Sequence, residues 1–293
     1  MPAPTVAVTG ATGTVGRHVL RELVHAGPDL EVRGLGRADP GWRLPGDAAW
    51  TRFSFTDPTT WTAAFSGVDA VFVVRPPELV DVTRDLLPAL IAARDLGVRR
   101  AVLLSVLGAE RNPLLPHRRI ERWLETSGMA ATTLRASNFM QNLAGVHAAD
   151  IRDHDRIVVP AGDAAMSYVD ARDVAAVAAR CLVEQAPRRG AWDVTGPAAI
   201  THDDVAEALT RALGRPIRYT RPGLPRYWAH ALRSGMPAGL VAATSVLYTL
   251  ARVGVGSRTT TDVATVLGRS GADIATFADD YRAVWRPHPQ ARS

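Results

Sequence analysis

The sequence predicts an α/β protein with a Rossmann-type doubly wound parallel sheet and a small, mainly helical C-terminal substrate lobe. Three observations support this prediction. Residues 1–135 alternate short apolar runs with helically spaced apolar patterns, which is typical of parallel strands joined by crossover helices. A glycine-spaced turn at residues 10–16 joins the first strand to the first helix. The chain beyond about residue 135 is mainly helical in pattern.

The predicted strands and helices alternate in order. The strands cover residues 5–9, 30–34, 50–54, 70–74, 101–105 and 131–134, and the intervening helices lie at about 15–26, 58–65, 78–96 and 116–127. Six strands connected in this way match a nucleotide-binding sheet. We therefore assign residues 1–135 to a nucleotide-binding domain. Residues 136–293 are expected to complete the sheet and form the substrate lobe within one compact unit, ending in a free tail at 287–293.

The glycine turn predicts dinucleotide binding. In a G-x-x-G-x-x-G turn between a strand and a helix, Gly10 makes the tight turn, Gly13 lets a pyrophosphate approach the backbone and Gly16 lets helix and strand pack closely. The phosphates would lie on free N–H groups at the positive end of the helix dipole. The predicted cofactor contacts in this turn are Gly10, Thr12, Gly13, Thr14, Val15 and Gly16.

Composition narrows the possible partners. The 293 residues carry a formal net charge of +5, but the basic residues are scattered and interleaved with acids, which favours a solvated surface over a nucleic-acid interface. No signal-peptide pattern is present, and the most apolar stretch, residues 240–250, is shorter than the roughly 20 residues that a membrane span needs. We expect a cytoplasmic protein with a small-molecule substrate and neither a nucleic-acid nor a membrane partner. The oligomeric state is left open.

The chain contains no lysine and a single cysteine, Cys181. The missing lysine excludes mechanisms that need a lysine amine, such as a Schiff base or a catalytic Tyr-x-x-x-Lys pair. A single cysteine excludes an intramolecular disulfide and a cysteine-based zinc cluster. No metal site is predicted.

The end of the second predicted strand should contact the adenosine ribose of the dinucleotide. An NAD site would place Asp or Glu there, whereas the 2′-phosphate of NADP calls for cations. Arg37 follows the strand, and no acid stands at its tip. The sequence therefore favours NADP over NAD. Arg33 is a second candidate for the phosphate, or else an outward-facing strand residue.

Two further predicted strands end in candidate cofactor contacts. After the third strand, Asp57 could accept a hydrogen bond from the adenine amino group or cap the helix that Pro58 begins, and the two roles are compatible. After the fourth strand, Val74 and Arg75 enter a proline-stiffened loop at the carboxyl end of the sheet, where cofactors lie in such folds. Arg75 could contact phosphate or ribose, or face solvent.

Several segments together resemble the NmrA-like branch of the atypical short-chain dehydrogenase/reductases. Besides Arg37, they are GATGTVG at 10–16, VFVVRPP at 71–77, LLSVLGAE at 103–110, LRASNFMQNL at 134–143, SYVDARDVAAVAARCL at 167–182 and DVTGPAAITHDDVAEAL at 193–209. The resemblance implies a Rossmann domain that binds NADP(H), a small C-terminal lobe that closes over the nicotinamide, and members that are either reductases or cofactor-sensing regulators. Quinones, enones, imines and phenylpropanoid ethers are among the substrates of that branch.

The sequence departs from the catalytic pattern of ordinary short-chain dehydrogenases, which use Ser with a Tyr-x-x-x-Lys pair. Ser105 occupies the serine position, but by spacing His117 falls near the tyrosine position and Glu121 near the lysine position. His117 is the best predicted proton donor, since a free imidazole titrates at about 6.5, although it could equally be a first-turn helix residue that faces water. Tyr168 is the other predicted acid, or else an ordinary core tyrosine.

Residues after the sixth predicted strand are expected beside the nicotinamide. Asn138 could bind the cofactor or the substrate oxygen. Phe139 and Met140 could form a wall of the pocket, and Asn142 could fix the loop. The alternative is an Asn-rich turn that only caps the next helix.

The C-terminal helices, predicted near 224–235 and 236–253, carry aromatic residues among apolar ones. Tyr227 and Trp228 would suit a pocket for a flat hydrophobic substrate. The same pattern also describes an ordinary helical core, so both interpretations stand at this point.

Taken together, these features predict an NADPH-dependent reductase that transfers hydride to a small apolar conjugated acceptor of the quinone, enone or imine type. Such an acceptor yields a stabilised anion, so strong proton donation is less necessary and the Tyr-Lys pair can be absent. Two alternatives remain open. One is a non-enzymatic NADP-sensing regulatory protein, and the other is a redox-neutral biosynthetic enzyme that retains the nucleotide site.

Overall fold

The structure, a computed structural model, describes residues 3–27, 29–183 and 190–286. The strands are β1 (Thr5–Thr9), β2 (Glu31–Gly36), β3 (Ala49–Arg52), β4 (Ala70–Val74), β5 (Arg100–Val106), β6 (Ala130–Ala136), β7 (Asn138–Phe139), β8 (Arg156–Ile157), β9 (Met166–Val169), β10 (Gly190–Val194), β11 (Ala199–Ile200) and β12 (Arg218–Tyr219). The α-helices are α1 (Gly16–His25), α2 (Trp61–Phe65), α3 (Val82–Asp85), α4 (Leu87–Asp95), α5 (Pro116–Thr126), α6 (Gln141–Ala144), α7 (Ala148–His154), α8 (Ala171–Val183), α9 (His202–Leu213), α10 (Leu224–Arg233), α11 (Ala238–Arg252), α12 (Asp262–Leu267) and α13 (Ile274–Tyr281). Short 3₁₀ turns lie at Pro45–Asp47, Pro58–Thr60, Ala109–Arg111 and Arg282–Trp285.

The residues divide into two compact units, of which the first comprises Met1–Ala136, Ala171–Val194 and Asp262–Arg269. Its parallel sheet has the strand order β3-β2-β1-β4-β5-β6-β10 within the described part of the chain. Strand order reverses next to β1, which is the arrangement that places a dinucleotide at the carboxyl ends of the strands. The predicted Rossmann-type doubly wound fold is therefore confirmed.

Both faces of this sheet are buried under helices, which explains the apolar strands. All five residues of β1 are buried. On one face, Val71 and Val73 of β4 join a core with Phe65 of α2, Leu90 of α4 and Ile120 of α5. On the other side of the unit, α1 packs against α8, and α8 packs against α12.

The second unit comprises Ser137–Asp170, Thr195–Thr261 and Ser270–Ser293. It is mainly helical, with small sheets of order β11-β9-β7 and β12-β8 in its described residues. One core joins Met166 and Tyr168 of β9 to Leu209 of α9, Phe277 of α13 and Trp285. The Trp285 indole also donates to the carbonyl of Leu143 at 3.0 Å, which fixes the closing turn on this core.

The structure adjusts several predicted elements. The helix predicted at 78–96 is broken at Leu86, where α3 ends and α4 begins with Pro88 in its first turn. The strand predicted at 50–54 is observed at Ala49–Arg52. Strand β10 at the edge of the main sheet was missed, because Gly190–Val194 is short and contains Trp and Asp rather than a β-branched run. The predicted tail at 287–293 lies outside the described residues.

Candidate functional site

The glycine turn leads from β1 into α1, and each of its three glycines occupies a position that disfavours a larger residue. Gly10 has φ +61°, a conformation that favours glycine. A Cβ on Gly16 would lie 2.1 Å from the Gly10 carbonyl oxygen, so only glycine lets the helix begin this close to the turn. A Cβ on Gly13 would meet that same oxygen at 3.1 Å and face otherwise open space.

The amides of this turn are open to an anion. Gly13 donates its amide to the Gly10 carbonyl at 2.9 Å. Within the described residues, the amides of Thr12, Thr14 and Val15 have no backbone or side-chain acceptor, and no side chain caps the start of α1. These N–H groups stand at the positive end of the helix dipole, so the residues present fit the pyrophosphate of a dinucleotide.

Arg37 lies just beyond β2 with its side chain 77% exposed, and it pairs with Glu78 at 3.2 Å. Glu78 belongs to the loop after β4, and β1 lies between β2 and β4 in the sheet. The pair therefore crosses the end of β1 in front of the glycine turn. An exposed pair of this kind contributes between 0 and about 1 kcal/mol to stability, so an anion can displace the carboxylate at little cost.

Arg33 has a different environment, because one of its terminal nitrogens donates to the carbonyls of Ala63, Ala64 and Ser66 at 3.1–3.2 Å. These are carbonyls at the carboxyl end of α2, where a cation also complements the helix dipole. The contacts favour a helix-capping role for Arg33 over a role at the 2′-phosphate.

Asp57 caps the 3₁₀ turn that begins at Pro58. It accepts from the Thr59 amide at 3.2 Å and from the Thr59 hydroxyl at 2.6 Å, and its nearest cation is Arg52 at 3.8 Å. The hydrogen bonds from Thr59 lower the pKa of this carboxyl, so Asp57 is ionised and keeps acceptor capacity. That capacity is compatible with an adenine contact.

Arg75 and His117 lie side by side at the carboxyl end of the sheet. One terminal nitrogen of Arg75 donates to the carbonyls of Pro76, Pro77 and Leu79 at 2.9–3.1 Å, so the loop after β4 fixes its guanidinium. Its Nε donates to Nε2 of His117 at 3.4 Å. Burial and the charge of Arg75 lower the pKa of His117 to about 4, so the imidazole is neutral at pH 7 rather than titrating near 6.5 as expected.

Val74 links this region to the glycine turn. Its amide donates to the Thr9 hydroxyl at 2.9 Å, and that hydroxyl donates to the Phe72 carbonyl at 3.0 Å. A Cβ on Gly10 would lie 3.6 Å from Cβ of Val74. The ends of β1 and β4 therefore form one continuous surface in front of which a cofactor can lie.

Ser105 is engaged with Glu121, a buried carboxylate on α5. The Ser105 hydroxyl donates to Glu121 Oε1 at 2.6 Å, while Arg135 donates to Oε2 at 2.8 Å and Arg118 at 3.0 Å. Burial opposes ionisation of Glu121, but the hydrogen bonds from Arg135, Ser105 and Arg118 outweigh it and lower its pKa. The Ser105 proton is therefore committed to Glu121, and Ser105 can only accept a hydrogen bond from a ligand.

Tyr168, the other predicted acid, lies in the core of the second unit with 5% exposure. Its hydroxyl is 2.8 Å from Nε2 of His202, and the rings of His202 and Tyr219 stack with centroids 5.0 Å apart. Burial raises the pKa of Tyr168 well above its ordinary value, helped by the neighbouring Tyr248 and Tyr219. This environment favours the core role for Tyr168 over the acid role.

The Asn138–Asn142 segment is divided between surface and core. Asn138 and Phe139 form β7 and are half-buried, and Asn142 is exposed. Met140 is only 1% exposed and belongs to the apolar core of the second unit, so packing rather than a pocket wall accounts for it. The Asn138 amide approaches the Ser167 carbonyl at 3.5 Å.

The two aromatic residues of α10 also differ from each other. Tyr227 is 1% exposed, and its hydroxyl lies 2.7 Å from that of Thr244 in a small core of the second unit. Trp228 is 36% exposed. Of the pair, Trp228 alone presents an apolar surface to a ligand.

Sequence reasoning missed several buried polar pairs. Gln141 donates to Asp170 at 2.8 Å, and His202 pairs with Tyr168. The available signal was a polar residue on the otherwise apolar face of a helix, but the hydrogen-bond partner of that residue is distant in sequence.

No group of three or more His, Cys, Asp or Glu that could hold a metal ion occurs among the described residues. In the same residues, no helix has the length and apolar character needed to cross a membrane.

Comparison with known proteins agrees with this geometry. Residues 10–185 match the NAD(P)H-binding family model. The chain is 35% identical over 291 residues to the NAD(P)H azoreductase of Xenophilus azovorans, covering 96% of this chain and 99% of that one. Among solved structures, the Citrobacter triphenylmethane reductase complexed with NADP(H) has a TM-score of 0.81 at 22% identity. The Escherichia coli NADPH-dependent quinone oxidoreductase complexed with NADPH has a TM-score of 0.81 at 23% identity. Each covers 94% of this chain and 99% of its own.

Proposed function

Because the chain belongs to the NAD(P)H-binding family, it is an NAD(P)H-dependent oxidoreductase, and we propose that it is an NADPH-dependent reductase of small apolar conjugated acceptors. The resemblance to NmrA-like atypical short-chain dehydrogenase/reductases is confirmed at this level. Because the chain is an oxidoreductase, the alternative of a cofactor sensor without enzymatic activity is set aside.

The choice of NADPH over NADH is supported by Arg37. Its guanidinium follows β2, where the adenosine ribose lies in this fold, and its carboxylate partner Glu78 comes from the loop after β4. A 2′-phosphate placed there would take over the Arg37 contact from Glu78. In NADH the ribose hydroxyl offers no such charge, so the Arg37–Glu78 pair would stay intact.

The pairing of Arg75 with His117 is the single observation that carries the mechanism. A guanidinium can only donate, so Nε2 of His117 accepts and the ring proton resides on Nδ1. When bound, NADPH supplies the hydride. His117 Nδ1–H would donate a hydrogen bond to the acceptor heteroatom on which negative charge develops, as a neutral electrophile rather than as an imidazolium acid. The second hydrogen of the reduced product, a proton, would come from water.

A neutral imidazole is a weak acid, and this limits the acceptor class. An unconjugated ketone becomes a basic alkoxide on hydride addition and needs strong proton donation in the transition state. A quinone, an enone or an azo bond in a dye spreads the added charge over its π-system, whereas a cationic iminium-type centre is neutralised by the hydride and needs no proton. The names of the relatives, azoreductase, triphenylmethane reductase and quinone oxidoreductase, support acceptors of this second kind.

The test is steady-state loss of NADPH absorbance with purified protein and a panel of a quinone, an enone, an imine and an azo dye. An unconjugated ketone of matched size is the control. We expect turnover with at least one conjugated acceptor and little with the ketone. The absence of NADPH consumption with every member of the panel would contradict the proposal. Conversion of a substrate without net NADPH consumption would instead favour a redox-neutral enzyme that retains the nucleotide.

A further inference from the structure

The second unit contains a basic pocket that the proposed reduction does not use. Its volume is about 370 Å³, and its lining includes Arg156 and Val158 at β8, Thr220 beyond β12, and Arg226, His230 and Arg233 on α10. Three arginines and a histidine thus line one cavity of the size of a small organic ligand.

The sequence of α10 places three of these four residues together. Arg226, His230 and Arg233 are spaced four and three residues apart, so they share one face of the helix. Tyr227 and Ala231 lie on the buried face, which anchors the helix to its unit. The basic face is therefore held in place by packing on the opposite side.

A single carboxylate orients two of the basic groups. Asp150 of α7 accepts from Nε of Arg156 at 3.0 Å and from Nε2 of His230 at 2.6 Å. Asp150 is mostly buried, with 14% of its side chain exposed. Because these bonds fix both side chains, less rotamer entropy remains to be lost when a ligand binds.

The pocket carries an excess of positive charge. Within the described residues, neither Arg226 nor Arg233 has a carboxylate within ion-pair distance, and Arg233 donates only to the Ala229 carbonyl at 2.9 Å. Three arginines against one carboxylate leave two positive charges with no counter-charge. No Asp or Glu occurs in the sequence between Glu207 and Asp262, so the segment that builds this wall supplies none.

We propose that this pocket binds the dianionic phosphate of a phosphate monoester. The two uncompensated charges match that dianion, and guanidinium groups match phosphate oxygens in geometry as well as in charge. Val158 and Pro222 form an apolar part of the lining, against which the carbon side of the ester can pack. The monoester is a free metabolite or the headgroup of a phosphatidic acid, since both present the same group.

The test is isothermal titration calorimetry of the full chain with phenyl phosphate, in the presence of saturating NADPH. The NADPH occupies the dinucleotide site, so phosphate binding to the glycine turn or to Arg37 does not contribute. Phenyl sulfate, a monoanion of similar shape, is the control ligand. We expect one site per chain for phenyl phosphate and at least tenfold weaker binding of phenyl sulfate.

The variants are Arg226→Gln and Arg233→Gln, both exposed positions whose change leaves the core intact. Each removes a charge-assisted hydrogen bond and should weaken phenyl phosphate binding about tenfold. Arg211→Gln, which changes an exposed arginine on α9 paired with Glu207, should leave it unchanged. Equal binding of phenyl phosphate to all three variants would overturn the proposal. So would the absence of phenyl phosphate binding to wild type together with the absence of binding to vesicles that contain phosphatidic acid.

Sedimentation with vesicles distinguishes the two sources of the phosphate. Vesicles of phosphatidylcholine containing phosphatidic acid are compared with phosphatidylcholine alone. Sedimentation that requires phosphatidic acid and is lost in Arg226→Gln and Arg233→Gln, without binding of phenyl phosphate, would assign the pocket to the lipid headgroup. Sedimentation that persists in both variants would overturn the assignment of the phosphate to this pocket.

Discussion

Nε of Arg75 donates to Nε2 of His117 at 3.4 Å, and His117 falls by spacing near the tyrosine of the Tyr-Lys pair of ordinary short-chain dehydrogenases. Lysine in that pair lowers the pKa of a tyrosine so that it can deliver a proton. Burial and the charge of Arg75 likewise lower the pKa of His117, but from an ordinary value near 6.5 to about 4, so the imidazole is neutral at pH 7. The proposed site is therefore suited to hydrogen-bond donation without full proton transfer.

The first prediction concerns His117 itself. His117→Phe should lower kcat/KM for a quinone about 100-fold, the lower end of what a positioned acid or donor contributes, with NADPH affinity nearly unchanged. His154→Gln, which alters an exposed histidine at the end of α7, is the control and should retain activity. The measurements are steady-state kinetics and fluorescence titration with NADPH. Full activity in His117→Phe would contradict the donor role but not the cofactor assignment.

The second prediction is the pH dependence. With a His117 pKa of about 4, the imidazole is neutral at every pH from about 5.5 to 8, so kcat/KM for a quinone should be flat over that range. An imidazolium acid would instead lose activity as the pH rises through about 6.5. Arg75→Gln removes a charge that lowers the His117 pKa, so the acid limb of the profile should move to higher pH. A wild-type profile that falls between pH 6 and 8 would contradict the neutral-ring mechanism.

The third prediction concerns the cofactor preference. Arg37→Ala should reduce the ratio of NADPH to NADH affinity at least tenfold, because a charge-assisted bond to the 2′-phosphate contributes roughly 1.5–3 kcal/mol. Glu78→Gln should raise NADPH affinity, since the phosphate no longer displaces a carboxylate from Arg37. Arg84→Ala, at an arginine paired with Asp85 on α3, is the control for loss of an exposed charge. An unchanged affinity ratio in Arg37→Ala would show that Arg37 does not contact the phosphate.

The main sheet was predictable because its signals are local. Strand β1 was predicted at its observed bounds, Thr5–Thr9, since five buried apolar or β-branched residues end directly at a glycine turn. Helix α5, predicted at about 116–127, is likewise observed at Pro116–Thr126, with Pro116 at its first position. Strand β10 lacked such a signal, because its place in the sheet depends on parallel pairing with β6, more than fifty residues away in sequence.

The details of the site were less accessible, because its side chains interact across the fold. Spacing placed Ser105 and Glu121 near the positions of a catalytic serine and lysine, but it could not reveal that the serine donates to the glutamate. Likewise, the sequence left Arg33 as a second candidate for the phosphate or an outward-facing strand residue, whereas its contacts are with the end of α2. Side-chain contacts of this kind depend on which helices and strands become neighbours in the folded chain.

The fourth prediction concerns the stability contributed by Glu121. Glu121→Gln removes the buried carboxylate that the half-buried Arg135 and Arg118 share, and breaking a buried ion pair costs about 3–5 kcal/mol. Glu125→Gln, one turn later and 56% exposed, should cost less than about 1 kcal/mol. The free energies of unfolding are compared by urea denaturation followed by circular dichroism. Equal losses in the two variants would mean that the buried network contributes no more than a surface pair.

The fifth prediction is acid sensitivity from the buried histidines of the second unit. Burial lowers the pKa of His202 to about 3 and that of His147 to about 4, whereas both titrate near 6.5 when unfolded. Between these values the unfolded state binds more protons, so the stability that the neutral histidines contribute is complete above about pH 6.5 and is lost as the pH falls. Each histidine should reduce the free energy of unfolding by up to about 1.4 kcal/mol per pH unit below pH 6. His147→Gln should make the decline in the free energy of unfolding between pH 6 and 4.5 shallower. His154→Gln, at an exposed position, should leave that decline unchanged. Identical slopes in the two variants would contradict a buried neutral His147.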